Sequence, residues 1–99
     1  MSDALTGRLL EAIRDVADFP EPGVLFKDIT PLIGDGALLT QTVTGLARPW
    51  HGRVDAVAGL EARGFVFGAA VAVALGVGFV PVRKAGKLPA DAVGVDYAL

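Results

Sequence analysis

The sequence predicts an α/β protein built on a parallel sheet, and three observations point there. Hydrophobic residues make up 53% of the 99 residues and glycine adds another 13. The excess is in Ala, Val, Leu and Gly, the mixture expected of helices laid on a parallel sheet. Residues 54–82 read as strand, loop, helix and strand with short connections, which requires a parallel pair joined by a right-handed crossover. The length allows one domain and not two.

Taken in order, Leu5, Leu9, Leu10, Ile13 and Val16 recur at near-helical spacing behind a capping Ser2 or Asp3. They predict a first amphipathic helix over Asp3–Val16, ended by Phe19-Pro20. Residues 20–32 follow with three prolines and a Pro22-Gly23 turn. Val24-Leu25-Phe26 is a short extended piece there, on a segment too rich in proline for a sheet interior. Asp35-Gly36 opens a helix from Ala37 to about Arg48, with Leu38, Leu39, Val43 and Leu46 inward and Pro49 as its stop. Val54–Gly59 reads as a buried strand, Leu60–Arg63 as a loop and Phe65–Leu75 as a buried helix. Gly76 ends that helix, and Gly78–Val82 is a second buried strand. The polar remainder, with Arg83, Lys84 and Lys87, shows no steady period and reads as a mobile loop. The resulting division is one partial domain over 1–99, with a helix and hood segment (1–36), part of an α/β core (37–82) and a basic loop (83–99).

Composition removes several functions. The net charge is −2, which argues against a protein made to neutralise nucleic-acid phosphates. Cysteine is absent and there is one histidine, so thiolate chemistry, disulfides and a structural zinc site are excluded or nearly so. The start carries Asp3 and Glu11 and is no secretory signal. Gly64–Val82 has no charge over a length that could span a membrane. Gly76, Gly78 and Pro81 interrupt it and its side chains are small, so it reads as helix, stop and strand. The apolar-plus-glycine share, roughly two thirds against a usual 45–50%, exceeds what so short a chain can bury, and looks like part of a larger core.

The loop between a buried strand and a helix suits an anion, because helix N-termini offer free N–H groups and partial positive charge. Gly59 and Gly64 have the spacing of a nucleotide phosphate loop, but Phe65-Val66 stands where Lys-Ser/Thr belongs. Gly76-x-Gly78-x-x-Pro81 fails as a dinucleotide fingerprint for want of a third glycine and a preceding strand. Spacing leaves Arg63 two readings: the charge of a phosphate-holding loop, or a surface partner of Glu61. Arg83, Lys84 and Lys87 follow the second strand at the same sheet edge, as an anion crevice or a solvated basic loop. Phe26 is a platform for a flat ring or a core plug. His51 beside Trp50 reads as structural, and Asp3, Asp15 and Asp18 as capping or solvated residues. No Ser-His-Asp arrangement is present.

Three blocks carry a resemblance: residues 19–30 (FPEPGVLFKDIT), 59–68 (GLEARGFVFG) and 82–89 (VRKAGKLP). In order and spacing they resemble the adenine phosphoribosyltransferase family, and they extend over essentially the whole chain. The resemblance implies a type I phosphoribosyltransferase fold, a Rossmann-like parallel sheet with an N-terminal helix and a hood segment, here incomplete. It implies a cytoplasmic homodimer that transfers the 5-phosphoribosyl group from phosphoribosyl pyrophosphate to adenine. AMP and pyrophosphate are the products, with magnesium bound through the phosphoribosyl pyrophosphate. No nucleic acid and no membrane is expected as a partner.

By position, the resemblance makes Phe26 the residue that stacks on adenine, with the backbones of Leu25 and Lys27 reading its edge. Glu61, Ala62, Arg63 and Gly64 would hold the pyrophosphate, with a cis peptide at Glu61-Ala62. Arg83, Lys84 and Lys87 would add positive charge, partly across the dimer interface, to stabilise the charge growing on the leaving group. In the family a glutamate that handles the purine proton comes shortly after the segment matching Asp96–Leu99. An acidic pair and a 5-phosphate loop come later still. The chain ends before these, so the expectation is a catalytically incomplete portion of the enzyme, with a second parallel strand left as an apolar edge. The alternative is a non-catalytic dimerisation or regulatory fragment of the same family.

Overall fold

The computed structural model describes residues 2–89 and 92–95. The element order is α1 (Asp3–Ala12), β1 (Arg14–Ala17), β2 (Leu25–Asp28), α2 (Thr30–Ile33), α3 (Gly36–Ala47), a 3-10 turn (Arg48–Trp50), β3 (Ala56–Leu60), α4 (Arg63–Leu75) and β4 (Gly78–Val82). These form two compact units that divide after Gly52. The α3 helix packs with α1 and α2 in the first unit. The sequence had grouped it with the strand–helix–strand segment.

In the first unit, the Ser2 hydroxyl accepts from the Leu5 N–H at 3.2 Å and caps α1, satisfying one of the orphan donors of a helix start. The helix then stops four residues before the predicted Val16. Ile13 still donates to the Leu9 carbonyl but has extended geometry (ψ 121°), and Arg14–Ala17 is a strand. The reason is non-local. β1 pairs antiparallel with β2 in the register Arg14↔Asp28, Asp15↔Lys27, Val16↔Phe26 and Ala17↔Leu25. Two ion pairs sit directly across that ladder, Arg14 with Asp28 and Lys27 with Asp15, a cross-strand arrangement that favours pairing. Asp18, at φ 56°, takes the left-handed turn conformation that Asp tolerates, and its carboxylate accepts from the Gly23 N–H at 3.0 Å.

Leu5, Leu32, Leu38 and Ala47 are the buried apolar residues here, together with Thr42, whose hydroxyl donates to the Leu38 carbonyl at 2.7 Å. Leu10 and Leu46, expected inward, are exposed, Leu10 by 70%. Asp35 caps α3 by accepting from the Leu38 N–H at 3.1 Å. Pro49 does not end the chain's helical path abruptly; it sits inside the 3-10 turn that continues α3.

The second unit is the predicted β–α–β. β3 and β4 are parallel, Ala56↔Gly78 through Leu60↔Val82, and α4 packs against them. Gly76, at φ 71°, is the left-handed C-cap that ends α4. The strand starts at Ala56 instead of Val54, and the helix starts two residues earlier than Phe65, at Arg63. The expectation of buried elements fails in a specific way. Only Gly59 in the strands and Ala72 in the helix are buried, while Val73 is 81% and Val80 51% exposed. A two-stranded sheet with one helix on it has its other face and both edges in solvent, whatever its composition.

Candidate functional site

Parallel strands in register end together, so the loops after Leu60 and Val82 leave the sheet side by side at its carboxyl edge, where ligands of open α/β sheets bind. The Glu61 N–H donates to the Val82 carbonyl at 3.3 Å, carrying the ladder one residue into the loops. The Glu61 carboxylate then bridges to the second loop. It accepts from the Lys84 N–H at 2.7 Å and from the Arg83 guanidinium at 3.5 Å. The Lys84 hydrogen bond foremost, helped by the Arg83 charge, holds the Glu61 carboxyl below the usual carboxylate range, against a smaller effect of burial.

Arg83 is fixed on three sides. Besides Glu61, it donates to the Lys87 carbonyl at 3.1 Å, and its guanidinium carbon lies 5.8 Å from the Phe65 ring centroid. Phe65 is held edge-on by Phe79, with centroids 5.9 Å apart. The Lys87 N–H donates to the Lys84 carbonyl at 3.1 Å, closing a turn over Ala85-Gly86. Gly86 has φ 82° while Ala85 does not leave negative φ, the pattern of a type II turn, which needs glycine at its third position. Lys84 and Lys87 are both exposed on that turn.

On the first loop the Glu61-Ala62 peptide is cis, as the resemblance implied. Arg63 is exposed and opens α4, whose N-cap, Ala62, offers no side chain to the helix N–H groups. The Gly59–Gly64 spacing has a packing cause. A Cβ on Gly59 would come within 2.3 Å of the Gly64 carbonyl oxygen, and one on Gly68 within 2.5 Å of the Phe79 ring. Gly59 and Gly64 let the start of α4 lie directly on β3, and Gly68 lets the helix close on Phe79 of β4.

The predicted base-reading residues lie on β2, in the first unit. Phe26 is half-buried, with Phe19 edge-on at 5.1 Å, so it is an aromatic pair at a hairpin and not a fully enclosed plug. Leu25 is exposed, and Lys27 reaches Asp15 at 2.6 Å. Two residues apart on one strand, Leu25 and Lys27 turn their backbone groups to the same edge. An open cleft of about 320 Å³ between α1 and α3, lined by Arg8, Glu11, Asp35 and Gln41 among others, contains none of the predicted site residues.

Sequence reasoning missed Phe65 as the support of Arg83, and Asp28. Asp28 is buried and accepts from the Thr30 N–H at 2.9 Å, from the Thr30 hydroxyl at 2.8 Å and from Arg14. Asp-x-Thr ahead of a short helix is a turn signature that could have revealed it. Among the described residues no group of three or more His, Asp or Glu could hold a metal. No helix there is long and apolar enough to cross a membrane. The predicted mobility of residues 83–99 falls partly on residues outside those described, as does the segment Asp96–Leu99.

No protein-family model matches the chain. It is 58% identical over 95 residues to an adenine phosphoribosyltransferase of Nocardioides sp., covering 91% of this chain and 51% of that one. The crystal structure of adenine phosphoribosyltransferase from Thermoanaerobacter pseudethanolicus superposes with a TM-score of 0.86 at 47% identity, over 93% of this chain and 55% of the other. The Saccharomyces cerevisiae enzyme, complexed with an imino-altritol bisphosphate and adenine, gives 0.83 at 38% identity, over 91% and 56%. The chain thus spans about half the length of the curated relatives it matches. By sequence and by backbone it is a homologue of the adenine phosphoribosyltransferases over about half their length, with the α/β fold of the type I phosphoribosyltransferases.

Proposed function

We propose that this chain supplies the adenine- and pyrophosphate-holding part of an adenine phosphoribosyltransferase. The reaction is transfer of the 5-phosphoribosyl group from phosphoribosyl pyrophosphate to adenine, yielding AMP and pyrophosphate. The observation that carries the reading is the meeting of the Glu61–Gly64 and Arg83–Lys87 loops at one sheet edge, in a chain so similar to these enzymes. Arg63, Lys84 and Lys87 face the pyrophosphate together with the uncapped start of α4. Their role is to stabilise negative charge as it grows on the leaving group while the ribose carbon becomes cationic. Arg83 holds the second loop in place beside them. On β2, Phe26 stacks on the adenine ring, and the Leu25 and Lys27 backbones read its edge. Magnesium fits as an ion carried by the oxygens of phosphoribosyl pyrophosphate, because the residues at this edge are mainly cations and the Glu61 carboxylate is already engaged. Action as a homodimer in the cytoplasm belongs to the same proposal.

Calorimetric titration with pyrophosphate tests the anion half. Lys84→Ala/Lys87→Ala should weaken binding by about 100-fold or more, two charge-assisted contacts of about 1.5–3 kcal/mol each being lost. Equal affinity would dismiss the site. Adenine titration of Phe26→Ala tests the other half, and unchanged affinity would reduce Phe26 to packing.

The exposed apolar side chains of α4 and β4 favour a second reading, a dimerisation or regulatory role toward an intact relative. Mixing the purified chain with a full-length enzyme separates the two. Unchanged activity without co-elution discards the regulatory role.

A further inference from the structure

Glu61 is an acid set among cations at an edge read as an anion site, and simple charge counting makes it a liability there. Its contacts say otherwise. One carboxylate oxygen takes the Lys84 N–H at 2.7 Å and the other faces the Arg83 guanidinium at 3.5 Å. Arg83 in turn holds the Lys87 carbonyl and lies over Phe65. The chain of contacts Glu61–Arg83–Lys87, together with Glu61–Lys84, fixes both ends of the Lys84–Lys87 turn to the end of β3.

We infer that Glu61 is a positioning residue and not a ligand of the pyrophosphate. Its carboxylate latches the Lys84–Lys87 turn to the first loop, so that the two lysines are presented before the anion arrives. This deepens the proposed function and rests on it for the identity of the anion. The physical advantage is preorganisation: a turn already fixed loses less conformational freedom on binding. Arg83 is the second member of the latch. Its guanidinium is occupied by Glu61, the Lys87 carbonyl and the Phe65 face, which assigns it to holding the loop, with the exposed Lys84 and Lys87 presented on the turn.

The sign of one substitution decides between latch and liability. Removing a negative charge beside an anion site strengthens anion binding if Glu61 acts only through its charge. If Glu61 is the latch, Glu61→Ala weakens pyrophosphate binding by about 10-fold, the scale of a lost charge-assisted hydrogen bond. Glu61→Gln recovers part of the loss, because its amide oxygen still accepts from Lys84. Tighter or unchanged binding in Glu61→Ala overturns the inference.

A readout without any anion keeps the two ideas separable. Amide hydrogen exchange by NMR on the 99-residue chain should show the Lys84 and Lys87 N–H groups protected in the parent and exposed in Glu61→Ala, with the β3–β4 ladder amides unchanged. Equal protection at Lys84 and Lys87 in both overturns the latch, whatever pyrophosphate does. Lost protection in a chain whose parent does not bind pyrophosphate leaves the latch standing and overturns the anion assignment. Where Glu61→Ala loses the ladder amides too, Arg83→Gln provides the comparison: lost Lys87 protection with an intact ladder supports the latch, and retained protection rejects it.

Discussion

Asp28 shows what one side chain can decide. It is only 8% exposed and its carboxylate is fully occupied, so its pKa falls from 3.8 to about 2. The Thr30 backbone and side-chain hydrogen bonds lead, followed by Arg14. A depressed folded-state pKa stabilises the fold above the unfolded value, and the gain disappears as pH falls through the folded one. Denaturant midpoints should therefore be level above about pH 4 and decline toward pH 2. Asp28→Asn should flatten that decline and lower the midpoint at pH 7; a variant with the parent's pH profile would move the effect elsewhere. The exposed pair Asp15–Lys27 should matter far less, about 1 kcal/mol at most.

Among the elements, the glycines separate into those that must be glycine and those that need not be. Gly59→Ala drives a Cβ into the Gly64 backbone and should cost about 3 kcal/mol, the upper end for overpacking. Gly68→Ala meets a Phe79 ring that can turn, so about 1–2 kcal/mol is expected. Gly7, inside α1 with nothing near its missing Cβ, is the opposite case, and Gly7→Ala should stabilise by about 0.5–1 kcal/mol. Asp35→Ala removes the α3 cap and should cost about 1 kcal/mol. Chemical denaturation of the four variants checks these together, and the order Gly59, Gly68, Asp35, Gly7 is the expectation.

At the scale of the molecule, the second unit leaves Val66, Val73, Val80 and Val82 substantially in solvent. Exposed apolar side chains on both the helix and the strand of one small unit mark it as a surface suited to a partner. The chain should enhance the fluorescence of a hydrophobic dye such as ANS, and Val73→Lys/Val80→Thr should reduce the enhancement by about half or more. Equal signals would show that this surface is covered in solution. Much of the second unit was legible in advance. Gly76 announced the end of α4, Gly78–Val82 was a strand at its observed bounds, and the short connections required the parallel pair. The hairpin was not legible, because Val16 keeps helical step with Leu9 and Ile13, and local periodicity carries no information about its cross-strand partner Phe26, beyond the turn.

The sequence by itself determined which residues could do chemistry and where they would emerge. Local spacing and turn residues place Glu61–Gly64 and Arg83–Lys87 after two parallel strands, and strand direction alone then brings them to one edge. Only the tertiary structure decided which of those residues hold one another. A carboxylate in a cationic loop can compete with a ligand or hold the loop for it. The hydrogen-bond donors around Glu61 come from Arg83 and Lys84, more than twenty positions along the chain, and pairings at that distance follow from register and packing, which no local pattern encodes.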